Sequence, residues 1–140
     1  MKILVAVDGS EFTKHMLAYL AAHDEMFGSD HQFTVLTVSA PLPPRATAVL
    51  DKQLMHDYHV DECERVFKPI REFFDKQGIK AEYRTEVGHA GDTIAKIADH
   101  DKFDMVMMGS HGHGSLANLV MGSVTNKVLA HCKTPVLLIR

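Results

Sequence analysis

Five strand-like runs alternate with segments of helical periodicity along these 140 residues, and that alternation constrains the fold more than any other feature of the chain. Strands separated by a helix pair in parallel, because only a long crossover returns the chain to the same end of a sheet, and right-handed crossovers place helices on both of its faces. Lys2 to Val7 is an apolar, β-branched run that stops at Asp8-Gly9-Ser10, which predicts a buried strand and a turn. Ser10 or Thr13 then caps a helix whose apolar face carries Met16, Leu17, Leu20, Ala21 and Phe27, and Gly28-Ser29-Asp30 stops it. Phe33 to Val38 is the second strand, and Ala40-Pro41-Leu42-Pro43-Pro44 after it continues neither a helix nor a sheet.

From about Asp51 to Gln77, Leu54, Tyr58, Val66, Phe67, Ile70, Phe73 and Phe74 recur every three or four positions, which predicts a long amphipathic helix, kinked or broken at Pro69 and ended by Gly78. Ala81, Tyr83, Thr85 and Val87 alternate with Lys80, Glu82, Arg84 and Glu86, the pattern of a half-exposed strand at a sheet edge. Gly91-Asp92-Thr93 opens a short helix through Ile94, Ile97 and Ala98, and Met105 to Met108 is a fourth, fully apolar strand. A last helix from about Ser123 to Cys132 and a last strand from Val136 to Ile139 complete the series. The expected architecture is α/β, a five-stranded parallel doubly wound sheet of order 3-2-1-4-5 with helices on both faces, in one domain over residues 1–140. Ligands of such sheets bind at the switch point, here between strands one and four. Ala6-Val7-Asp8 and Gly109-Ser110-His111-Gly112 converge there, with Met108 in the pocket wall.

The net charge of -3 hides an asymmetry: after Asp104 there is no Asp or Glu, while Lys127, Lys133 and Arg140 remain. Three cations spread over that last quarter, with no aromatic residue among them, make a poor nucleic-acid footprint and suit a small anion better. Cys63 and Cys132 form no CxxC pair and are expected as buried, inert thiols. The apolar run at Met1 to Val7 is too short for a signal peptide, and no run reaches the roughly 18 apolar residues of a membrane helix. A cytoplasmic protein without membrane association is therefore expected.

The chemically informative stretch is Gly109-Ser110-His111-Gly112-His113-Gly114-Ser115, then Leu116 to Met121, then Gly122-Ser123-Val124-Thr125 at a helix start, a G-x2-G-x9-G-S pattern. Glycines let backbone N–H groups approach phosphate oxygens and adopt positive φ, and a helix N-terminus adds unpaired donors and partial positive charge. Ser123 or Thr125 can add a hydroxyl. No Walker A motif, no GxGxxG after the first strand, no GxSxG elbow and no HExxH is present, which removes the usual NTPase, dinucleotide, hydrolase and zincin readings. His111 and His113, with His56 and His59 elsewhere, lack an identifiable third ligand for a metal.

The layout and the G-x2-G-x9-G-S pattern resemble the universal stress protein family over essentially the whole chain. Val5-Ala6-Val7-Asp8-Gly9-Ser10 is similar to the family's first strand and turn, and Thr134-Pro135-Val136-Leu137-Leu138-Ile139 to its closing strand. Within the family the pattern marks the ATP-binding branch, so the resemblance implies bound ATP or AMP. It implies adenine and ribose contacts near Ala6, Val7, Asp8 and Val38, Gly109 near the ribose, and phosphates at Gly112, Gly122, Ser123 and Val124. Many nucleotide-binding members carry Lys or Arg before the third motif glycine, whereas Leu116 to Met121 has none. Backbone donors, His113, Lys127 or a divalent cation such as Mg could compensate, or the pocket could favour AMP.

No paired carboxylate, activated nucleophile or arginine finger can be placed beside the phosphates, so a nucleotide-binding stress-response regulator, at most a weak ATPase, is expected. The alternative is a dimeric interaction module with an empty or vestigial pocket. An acyl- or adenylyl-transferring enzyme would need motifs such as HIGH or SGGxDS, and neither is present. Val136 to Ile139, apolar on both faces and at a sheet edge, predicts a homodimer through the last strand, as the resemblance also implies.

Overall fold

The computed structural model describes residues 1–28, 30–114 and 121–140, so Ser29 of the predicted helix stop and the stretch 115–120 between the motif glycines lie outside the described residues. Five strands, β1 (Lys2–Ala6), β2 (Gln32–Ser39), β3 (Ala81–Val87), β4 (Met105–Gly109) and β5 (Val136–Ile139), form one all-parallel sheet in the order β3-β2-β1-β4-β5. The helices are α1 (Glu11–Ala22), α2 (Asp24–Phe27), α3 (Pro44–Thr47), α4 (Lys52–Lys76), α5 (Ala90–His100) and α6 (Ser123–His131).

Side chains alternate across each strand, and the two resulting faces bury separate apolar clusters. On one face Ile3, Val5 and Val7 meet Met16, Leu17 and Leu20 of α1 and Cys63, Phe67, Ile70 and Phe74 of α4. On the other, Leu4, Ala6, Leu36, Val106 and Met108 meet Ile94, Ile97 and Ala98 of α5 and Val128 of α6. Helices thus cover both faces, and each large apolar side chain so enclosed contributes about 1.5–3 kcal/mol relative to an exposed one.

Several local expectations are revised. Phe27 is buried, but in the separate helix α2 rather than on α1. Ser10 occupies the N-cap position of α1, yet its hydroxyl makes no capping bond. Pro44 ends the proline-rich loop by opening α3, since a proline is tolerated in a first helical turn. The long helix runs on through Pro69, which points to solvent, while Asp51 caps its start by accepting the Leu54 N–H at 2.7 Å. Leu54 and Tyr58 are 53% and 48% exposed rather than on a core face, because the first turns of α4 extend past the sheet. Cys63 is buried but Cys132 only partly so; loss of solvent pushes both thiols up and favours their neutral form.

The register places Leu36, Ala6 and Met108 side by side at the C-terminal ends of β2, β1 and β4, all on the face covered by α5 and α6. They form a flat apolar step, beyond which the chain turns away at Asp8 and at Gly109. No helix of the described residues is long and apolar enough to cross a membrane.

Candidate functional site

That apolar step is the floor of a cavity of about 310 Å³ at the switch point between β1 and β4. The volume lies at the small end of the roughly 300–1,000 Å³ range of small-molecule sites. Ala6, Val7 and Asp8 line it from β1 and its turn, Val38 from β2, and Met108 and Gly109 from β4. His111, Gly112 and His113 close it from the glycine-rich loop, and Gly122, Ser123, Val124 and Thr125 from the start of α6. Every residue assigned to the site from the sequence is thus brought to one cavity. Thr13, Leu36, Ala90, Ile94 and Gly114 line it as well and were not anticipated. Leu36 was legible from its place two residues before Val38 on the same side of the strand. Ala90 and Ile94 depend on how α5 lies across the sheet, which no local pattern records.

Asp8 is fixed by its own turn. Its Oδ1 accepts the Ser10 N–H at 2.9 Å and the Thr13 hydroxyl at 3.1 Å, while the Asp8 N–H donates to Thr13 Oγ1 at 3.3 Å. The second oxygen, Oδ2, would stand 2.6 Å from a Cβ built on Gly112. The reason for glycine at 112 is therefore the Asp8 carboxylate across the gap. Gly122 is explained similarly: a Cβ there would come within 3.1 Å of His111 Cα. The motif glycines do not take positive φ as expected; the left-handed glycine nearby is Gly9, at φ +76°, in the turn after β1 and outside the cavity lining. Absence of Cβ, rather than backbone freedom, is what the loop uses.

The loop is tied down from three sides. His113 Nε2 donates to the Asp8 carbonyl at 2.6 Å, which fixes the ring hydrogen on that nitrogen. His111 Nδ1 lies 2.8 Å from Ser110 Oγ, and its ring leans on Phe12 with centroids 4.9 Å apart. Ser110 in turn donates its N–H to Ile139 O and accepts from Gly122 N, both at 2.8 Å. The Thr125 hydroxyl, expected as a ligand donor, gives its hydrogen to the carbonyls of Gly109 and Ser110, each at 3.1 Å, and so joins α6 to the loop.

At α6 the N-cap is Gly122, in extended backbone and with no side chain to cap the helix, and the first turn, Ser123 to Thr125, lines the cavity. The cationic balance is thin. No Lys or Arg is among the described lining residues, and Lys127, weighed above as a phosphate partner, lies instead 3.4 Å from Asp92 with its stem beside Gly91. No group of three potential metal ligands stands together among the described residues. Chemically, the arrangement joins an apolar shelf, one carboxylate oxygen and an uncapped helix N-terminus within one small cavity.

Comparison with known proteins bears on the family and the fold. The chain is 31% identical over 140 residues to universal stress protein Slr1230 of Synechocystis, covering 99% of this chain but only 42% of that longer protein. Among solved structures, that of MJ0577 superimposes with a TM-score of 0.82 at 26% identity, covering 99% of this chain and 94% of the other. The Archaeoglobus fulgidus universal stress protein, solved in complex with dAMP, shares the fold at 22% identity and a TM-score of 0.66, covering 100% and 98%. The universal stress protein family profile matches residues 1–140, and the chain belongs to that family.

Proposed function

We propose that this chain is a single-domain regulatory protein that binds an adenine nucleotide, ATP or AMP, in the switch-point cavity and hydrolyses ATP slowly or not at all. The observation that carries the reading is the meeting, in one cavity, of an apolar shelf at Ala6, Leu36 and Met108 with the uncapped N-terminus of α6. An adenine ring suits the shelf, and a phosphate suits the helix end, where unpaired N–H groups and the helix dipole favour an anion. In support, structures of the same fold have been solved with cAMP, with AMP (the Arabidopsis thaliana protein) and with dAMP. On this reading Ala6, Val7, Asp8 and Val38 serve the nucleoside, and Gly112, Gly122, Ser123 and Val124 the phosphate. Slow hydrolysis follows from chemistry: neither a second carboxylate nor a lysine or arginine lines the cavity among the described residues to activate water or steady a leaving phosphate. A cytoplasmic setting goes with this role.

Calorimetry with ATP, ADP and AMP is the direct test. Heat of binding is expected with at least one of them, and Gly112→Val or Gly122→Val is expected to weaken it more than about tenfold, because a branched side chain fills space now left open to Asp8 and His111. Silence with all three nucleotides at millimolar concentration would leave the dimeric interaction module with a vestigial pocket as the better reading. Unchanged affinity in both folded variants would move the site elsewhere. Steady-state phosphate release should stay well below the median enzyme turnover of about 10 per second. Turnover near that value, lost in Asp8→Ala, would mean an active site that the present assignment lacks.

A further inference from the structure

We propose that the outer face of α4 is a contact between copies of this chain, distinct from the β5 edge, in which two α4 helices pack antiparallel about a two-fold axis. Leu54, Tyr58, Asp61, Arg65, Lys68 and Glu72 follow one another at spacings of four, three, four, three and four residues, the alternation of a two-stranded coiled-coil seam. All six are exposed, Leu54 and Tyr58 by 53% and 48%. The seam looks outward because the opposite side of α4 is fixed to the sheet. Cys63, Phe67, Ile70 and Phe74 are buried there, and the buried Ser39 hydroxyl of β2 donates to Glu62 Oε2 at 2.6 Å and lies 2.6 Å from His59 Nδ1.

Charge complementarity makes a second copy the occupant. Histidines aside, every charged side chain between Gln53 and Glu64 is acidic (Asp57, Asp61, Glu62, Glu64), and every one from Arg65 to Arg71 is basic (Arg65, Lys68, Arg71). The helix dipole does not account for this division: its influence is confined to the end turns, and the first turn of α4 holds no acidic residue and begins with Lys52. Internal pairing does not account for it either, since among the described residues Arg71 meets Glu64 while Asp61, Arg65 and Lys68 join no ion pair. An antiparallel copy sets the acidic half against the basic half twice, once on each side of the axis, whereas a parallel copy would set like on like. The seam is itself symmetric about position 63. With the axis there, Asp61 faces Arg65 of the second copy, Tyr58 faces Lys68 and Leu54 faces Glu72, each pair occurring twice. The stem of Lys68 can then lie on the Tyr58 ring with its ammonium group toward Asp57. α4 packs on β2 and β3, at the sheet edge remote from β5, so this contact leaves the last strand free.

The experiment follows the mass of the whole chain by sedimentation velocity at tens to hundreds of micromolar in low salt, where ion pairs are least screened. Wild type is expected to reach at least twice the mass of either Asp61→Arg or Arg65→Asp. Each variant sets like charges face to face and should weaken the contact about tenfold or more. Both positions are exposed, so the circular dichroism of the fold should be retained. An equimolar mixture of the two variants restores opposite charges across the axis and is expected to recover the wild-type mass. Both variants keep β5 intact, so any association through that strand contributes equally to every sample. A wild type no heavier than the variants overturns the proposal and leaves this face to solvent or to a partner of other chemistry. A mixture that stays at the mass of its components overturns it as well, because the effect of each reversal would then not come from charges meeting across the axis.

Discussion

Asp99 shows how much a single half-buried residue can organise. Its carboxylate accepts the N–H of Lys133 at 3.1 Å, the N–H and hydroxyl of Thr134 at 3.0 and 2.9 Å and the thiol of Cys132 at 3.6 Å, and so anchors the link between α6 and β5 to the end of α5. These bonds, led by that from the Lys133 backbone, hold its carboxyl below the usual Asp range. A carboxyl with a depressed folded-state pKa contributes stability that is present above its unfolded value, near 4, and is lost as the pH falls through the lower folded value. Asp99→Ala should therefore melt at a lower temperature than wild type at pH 7, and the deficit should close as melts are taken down toward pH 3. A deficit that stays constant across that range would mean that packing, not the charge, is what the mutation removes. Asp99 was not legible beforehand, since its partners lie 33 to 35 positions away in sequence. Asp8 was legible, because a carboxylate two residues before a turn-ending serine already sits where the first strand must end.

Among the elements, α4 separates what periodicity reveals from what it conceals. Its core face was readable from the spacing of Phe67, Ile70 and Phe74, which the sheet indeed buries. The same spacing continues back to Leu54 and Tyr58, where no sheet lies beneath. A helix of 25 residues is about 37 Å long, whereas the 8 residues of β2 span about 26 Å, so one end must overhang. Periodicity reports a face but not the length of its support. Pro69 lies within the supported part yet points outward, and the helix tolerates it at the cost of one missing N–H to the Arg65 carbonyl and a crowded ring. Pro69→Ala should restore that bond and stabilise the protein by up to about 3 kcal/mol, seen as a higher urea midpoint with an unchanged slope. A lower midpoint would show that the helix axis depends on the proline. The glycine loop was legible in its residues but not in its reason, because the contacts of Gly112 and Gly122 come from Asp8 and His111 across the fold.

For the whole molecule the open question is the edge at β5. The strand order leaves Val136 to Ile139 with a neighbour on one side, and Val136, Leu137 and Leu138 are only partly buried. The ladder itself says which peptide groups are free. Val106 donates to the Pro135 carbonyl and Ser110 to that of Ile139, so residues 135, 137 and 139 turn their polar groups toward β4. The alternation of a strand then turns those of Val136 and Leu138 outward. An apolar edge whose donors are unpaired among the described residues, with no charge before Arg140, is what most monomers avoid, and we propose that a second copy covers it, the two strands pairing antiparallel about a two-fold axis. Leu138→Pro is the discriminating change, because a proline removes an outward donor and leaves the bonds to β4 in place. Light scattering at tens of micromolar should give a dimer for wild type and a weaker dimer or a monomer for this variant, with the circular dichroism of the fold retained. Ile139→Pro, which removes an inward donor, should instead lower the melting temperature. A wild-type monomer at that concentration, or a folded Leu138→Pro protein that dimerises as tightly as wild type, would rule out this edge as the interface.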